Sequence, residues 1–126
     1  MTEQKPGYTR AVQPLAPSTM TTDGDGLETS DIRIPVADGD IPAFYAGPKS
    51  AGPHPVVIVV HEIFGLHEYI RDVCRRLARA GYFSVAPDLY QRQGDVAKIE
   101  EIWTIITSVV EKVPDEQVLS DLDATV

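Results

Sequence analysis

A chain of 126 residues, 43% hydrophobic and 24% charged, has material for a single soluble domain with an enclosed core. Eleven basic against nineteen acidic residues give a formal charge of −8, which opposes nonspecific binding to nucleic acid or an anionic membrane, so neither is expected as a partner. The apolar runs fall far short of the roughly 20 residues that span a bilayer, no signal-peptide order opens the chain, and the lone Cys74 excludes an internal disulfide; a cytoplasmic location is expected.

Residues 1–27 hold Pro6, Pro14 and Pro17 among Thr, Ser and Gly, and end in Asp23-Gly24-Asp25-Gly26. Without a sustained period, this stretch predicts an extended arm whose Tyr8, Val12 and Leu15 are free to dock on a neighbouring surface. The acidic run lacks the ligands of a calcium loop. From Glu28 to Ala46, Ile32, Ile34 and Val36 alternate with polar or small residues, Ala37-Asp38-Gly39-Asp40 supplies turn chemistry, and Ile41 to Tyr45 follows. The pattern predicts an antiparallel hairpin at a sheet edge, the place where Pro35 and Pro42 are tolerated. A Gly- and Pro-rich loop, Gly47 to Pro55, leads onward.

Val56-Val57-Ile58-Val59-Val60 is a run of four valines and an isoleucine, as in a strand covered on both faces. His61 and Glu62 bring ionisable groups to its carboxyl end, and Gly65 permits a turn into a helix starting near Leu66 or His67. Open α/β sheets place their ligands at such strand ends. Ile70, Val73, Cys74 and Leu77 form the buried stripe of a helix over about His67 to Ala80, stopped by Gly81. Glu68, Arg71, Asp72, Arg75, Arg76 and Arg79 are predicted to form its solvated, salt-bridged face. A second strand, Tyr82 to Ala86, completes a βαβ unit with parallel strands and runs into Pro87-Asp88-Leu89-Tyr90.

A second helix is predicted from about Val96 to Val113, with Val96, Ile99, Ile102, Trp103, Ile106, Val109, Val110 and Val113 as its apolar stripe and Trp103 in the core. Several of these are β-branched, so tertiary burial must hold it helical. After Pro114-Asp115, Val118, Leu119 and Leu122 begin a third helix. No strand follows, and the order reads as the front half of a larger α/β domain over residues 28–126.

Val56 to Gly65, Arg75-Arg76-Leu77-Ala78, Ala80-Gly81-Tyr82 and Ala86-Pro87-Asp88-Leu89-Tyr90 together resemble the amino-terminal half of the dienelactone hydrolase family, a branch of the α/β-hydrolases. The resemblance covers about residues 28 to 126. It implies hydrolysis of lactones or related esters, of the carboxymethylenebutenolidase kind, by a Cys, His and Asp triad whose members lie beyond the matched stretch. No Gly-x-Ser-x-Gly or Gly-x-Cys-x-Gly nucleophile elbow occurs in the chain, and Cys74 sits on a helix stripe instead. The short chain is therefore expected to be a truncated form, inactive alone.

By the same resemblance, Glu62 matches a glutamate that takes part in activating the nucleophile. The Ile63 N–H corresponds to one oxyanion donor, and Tyr90 and Arg92 fall where the substrate pocket is lined. No cofactor is implied. His61 is expected to be a structural hydrogen-bonding residue. A zinc site is rejected, because His67 lies six residues after His61 and not four, and cannot share its helical face.

Two further readings stand beside the hydrolase. One is a noncatalytic module that pairs with itself or another chain across the open side of its sheet. The other, a flavodoxin-like nucleotide-binding domain, lacks a glycine-rich phosphate cradle after Val60. For the hydrolase, the expected partner is a small-molecule ester or lactone, with a homo-oligomer formed through the open sheet side.

Overall fold

The computed structural model describes residues 21–50 and 52–126. β1 (Leu27–Val36) and β2 (Gly39–Pro48) form the hairpin anticipated from the alternating pattern, in register from Leu27 opposite Pro48 to Val36 opposite Gly39. β3 (Val56–Ile58), α1 (Glu68–Arg79) and β4 (Phe83–Pro87) form the βαβ unit, with β3 parallel to β4. The sheet order is β1-β2-β4-β3, and β2 meets β4 antiparallel. The fold is thus α/β with a mixed sheet.

This order corrects the placement of Pro42, because β2 is a central strand. A residue's N–H and C=O face the same neighbour in a strand, and the Pro42 carbonyl accepts the Asp88 N–H at 2.8 Å. The donor that proline lacks would face Asp88, beyond the last β2–β4 pair, Ala43 with Pro87. The ladder ends where its missing N–H would be needed.

Alternation along β2 divides the core. Phe44 and Ala46 meet Ile70, Cys74 and Ala78 of α1 with Leu27 and Ala86, while Ile41 and Ala43 pack with Ile34 and Val85. Burying a large apolar side chain such as Ile41 contributes about 1.5–3 kcal/mol. β3 is less covered than its sequence suggests. Val56 and Val60 are 60% and 54% exposed, and among the described residues no strand pairs with the outer edge of β3. An apolar run alone does not show that both faces of a strand are covered, and Val56 and Val60 share the less covered one.

α1 begins one residue later than expected, with His67 as its cap, and its charged face departs from the solvated reading at one position. Asp72 is completely buried. It accepts the Thr22 N–H and lies 2.9 Å from Arg76 Nε, so residues ahead of β1 are fastened onto α1, where Arg79 also bonds Asp23. Arg75 pairs with Glu68, and Arg71 reaches Asp31 on β1. Of the arm expected over residues 1–27, residues 1–20, with Tyr8, Val12 and Leu15, lie outside the described residues.

Burial opposes the charge of Asp72, but the hydrogen bond from Thr22 and the Arg76 guanidinium beside it outweigh it and hold the carboxyl below its ordinary value. Its stabilisation is therefore complete above the unfolded-state pKa and is lost as pH falls through the lower folded value. Asp72→Asn should lower stability by about 1–3 kcal/mol at neutral pH. In urea titrations from about pH 6 to about pH 2, the gap from wild type should close toward acid. A gap that widens on acidification contradicts this account.

The long helix expected from Val96 to Val113 is broken. A 3-10 turn covers Val96–Lys98, α2 covers Ile102–Ser108 and a second 3-10 turn covers Val110–Lys112. Glu101 supplies the local reason, since its carboxylate accepts the Trp103 and Thr104 N–H groups at 3.2 and 2.9 Å and starts a new helix there. Restarting the helix rotates the stripe. Ile105, absent from the expected stripe, is fully buried, and Trp103 is 47% exposed instead of in the core. α3 (Asp115–Thr125) follows Pro114 as expected and packs near β1 and β4, although Leu119 points to solvent and Asp121 is buried. No described helix is long and apolar enough to cross a membrane.

Candidate active site

The carboxyl ends of β3 and β4 lie side by side because the strands are parallel, and each leads into a turn. After β3, the Glu62 carbonyl accepts the Gly65 N–H at 3.0 Å, closing a turn through Ile63 and Phe64. Gly65 has φ of +75°, and a Cβ there would fall 2.7 Å from Val96 Cγ2, so both its backbone angle and its surroundings require glycine. Ile63, Phe64 and Tyr90 pack against Val96, Ile105 and Val109, which fixes both strand exits onto α2 and the turn before it.

His61 ties the two exits together. Its side chain is fully buried, Nε2 accepts the Leu89 N–H at 3.0 Å, and Nδ1 lies 2.7 Å from the Glu62 carbonyl. This pattern assigns the proton to Nδ1, which donates. With Nε2 used as an acceptor, the 3.9 Å approach to Asp88 is not an ion pair. His61 is the structural residue expected from the sequence.

Glu62 is half exposed, and its Oε1 lies 2.6 Å from His67 Nε2. Its Oε2 carries no hydrogen bond among the described residues. The Ile63 N–H likewise has no acceptor among the described residues. The Tyr90 and His61 rings meet edge to face with centroids 4.6 Å apart. Burial, and then the charge of Glu62, raise the Tyr90 phenol above its ordinary value. Glu62 thus lies near Tyr90, Ile63 and Tyr90 pack on one apolar cluster, and His67 holds the Glu62 carboxylate.

Arg92 is placed elsewhere. Its guanidinium pairs with Asp38 in the β1–β2 turn and with the buried Asp121 of α3. The three residues line a cavity of about 250 Å³ with Glu116, Gln117 and Ser120. Neither Glu62 nor Tyr90 lines it.

Cys74 stands apart from this chemistry. It is completely buried, and burial pushes its thiol up to about 11, against smaller opposing effects from Ser84, Arg75 and Arg71. A thiol so rarely ionised is no nucleophile at neutral pH. No group of three or more His, Cys, Asp or Glu among the described residues is arranged to hold a metal ion. Sequence reasoning missed His67, which it weighed only as a zinc ligand. Its position between the Gly65 turn and the apolar helix stripe was the available signal.

Comparison with known proteins adds to this geometry. The model of the family described as "Dienelactone hydrolase family" matches residues 41–126. A protein of Methylorubrum extorquens named "Putative carboxymethylenebutenolidase" is 55% identical over 121 residues, which cover 95% of this chain and 42% of that protein. One of the same name from Escherichia coli is 50% identical over 123 residues, covering 97% and 45%. A crystal structure titled as a "Putative Dienelactone Hydrolase" from Klebsiella pneumoniae has 51% identity and a TM-score of 0.77, over 80% of this chain and 42% of that one. The chain therefore spans less than half the length of these relatives.

Proposed function

The chain belongs to the dienelactone hydrolase family, and from that premise we propose that it supplies the acid–base and oxyanion half of a carboxylic ester or lactone hydrolase whose nucleophile lies outside these residues. The observation that carries the reading is the placement of Glu62, Ile63 and Tyr90 at adjoining strand exits, with the Ile63 N–H unpaired among the described residues. In acyl transfer a thiol gives up its proton, its sulfur attacks the carbonyl carbon, and the oxygen takes the negative charge. Collapse expels the alcohol as it gains a proton, and water then releases the acid and restores the thiol. Glu62 is suited to accept the thiol proton, and the Ile63 N–H to face the oxyanion, where one donor is commonly worth about 2.7–4 kcal/mol. Tyr90 supplies a wall and a hydroxyl to the same space. An anionic substrate group would reach Arg92 only by displacing Asp38, the more exposed of its two partners.

The test is p-nitrophenyl acetate or dienelactone hydrolysis by this chain and by an extended form. The extension is the part of the Methylorubrum extorquens protein that the match leaves uncovered. Turnover is expected only from the extended form and should survive Cys74→Ala. Hydrolysis by the short chain that disappears in Cys74→Ala, or none by the extended form, overturns the proposal. The outer edge of β3, which no strand among the described residues covers, favours a second reading, a noncatalytic module pairing with another copy there. An extended chain that associates through β3 but hydrolyses nothing would support it.

A further inference from the structure

The hydrogen bonds around His67 determine which ring nitrogen carries its proton. Nδ1 accepts the Tyr69 N–H at 3.3 Å as the cap of α1. The neutral ring is then protonated on Nε2, which donates to Glu62 Oε1 at 2.6 Å. His61 has the opposite tautomer and donates from Nδ1 to the Glu62 carbonyl. Residue 62 is therefore gripped twice, by its main chain and by its side chain. Phe64 and Tyr69 flank the His67 ring, with centroids 6.4 and 6.3 Å away.

We propose that His67 is a positioning residue for Glu62, anchoring Oε1 from Nε2–H so that Oε2 is the oxygen presented to the nucleophile. This role rests on the hydrolase reading. The S–H bond breaks, its proton forms a bond to Oε2, and the electron pair stays on sulfur, while the His67 bond to Oε1 persists throughout. One helix cap thereby orients the carboxylate, a duty separate from starting α1.

The two duties can be separated by substitution. Asparagine places its amide near Nδ1 and keeps a good cap but does not reach Glu62. Glutamine places its amide near Nε2, keeping the donor and losing the better cap. In the 126-residue chain, long-range ¹⁵N NMR should find His67 as the Nε2–H tautomer, with an Hε2 signal that moves upfield in Glu62→Gln. The Tyr90 titration, which senses the Glu62 charge, should shift in His67→Asn and stay near wild type in His67→Gln. In the extended enzyme, His67→Asn should lower kcat on the order of tenfold or more with KM little changed, and His67→Gln should restore most of it. A merely structural role predicts the reverse order, with glutamine the worse variant. An inactive extended wild type would overturn the hydrolase reading, and the catalytic duty of His67 with it. An active one with an Nδ1–H tautomer, or with kcat unchanged in His67→Asn, would overturn the positioning role alone.

Discussion

Replacing Arg92 with alanine is expected to lower the unfolding free energy by about 3–5 kcal/mol at neutral pH, the usual cost of leaving a buried charge without its partner. The charge in question is Asp121, whose side chain is 2% exposed and pairs with Arg92 from within α3. Burial raises the Asp121 carboxyl and Arg92 pulls it down, so removing the guanidinium should raise it further. For a carboxyl with a raised folded value, the penalty applies above that value and lifts as pH falls through it. The deficit of Arg92→Ala should therefore shrink on acidification, opposite in direction to the loss of stability tied to Asp72 itself. Adding Asp121→Asn should recover part of the deficit at neutral pH. Urea unfolding of the three variants against wild type gives the answer, and an Arg92→Ala protein within about 0.5 kcal/mol of wild type would show that the pair does not hold α3 to the sheet.

In the extended enzyme, Glu62→Gln should reduce kcat by about 10²–10⁴, the range for loss of a positioned proton acceptor. The change preserves size and an oxygen that can still accept from His67, and the side chain is half exposed. Stability should consequently move by no more than about 0.5 kcal/mol. A fall in kcat without a matching rise in KM places the lost interaction in the transition state. Steady-state kinetics alongside urea unfolding separates the two effects. Undiminished kcat would remove Glu62 from the chemistry.

The parts of the fold that could be read in the sequence are those set by neighbours along the chain. Alternation gave the β1–β2 hairpin, and a 3.6-residue stripe between two apolar runs gave the βαβ unit. What escaped depended on distant partners or on competing local bonds. Asp72 looks like one more charge on a helix face until Thr22, fifty residues earlier in sequence, is found bonded to it. Arg92 looks like a free cation until the fold supplies Asp38 and Asp121. The run from Val96 to Val113 has an apolar repeat long enough for one helix, but Glu101 caps a new one and β-branched residues offer little resistance to the break. Within the candidate site, family resemblance named Glu62, Ile63 and Tyr90, whose roles are proposed above. The part played by His67 needed coordinates, because a cap and a carboxylate partner are joined there in one ring.

Cys74, sealed beneath Phe44 and Ala46, gives the protein a built-in clock for opening of its core. Since the chain has no other thiol, alkylation of the short form measures how often α1 lifts from the sheet, without any engineered label. In an extended enzyme the same burial sets Cys74 apart from exposed thiols by time, because it is modified only as fast as the core opens.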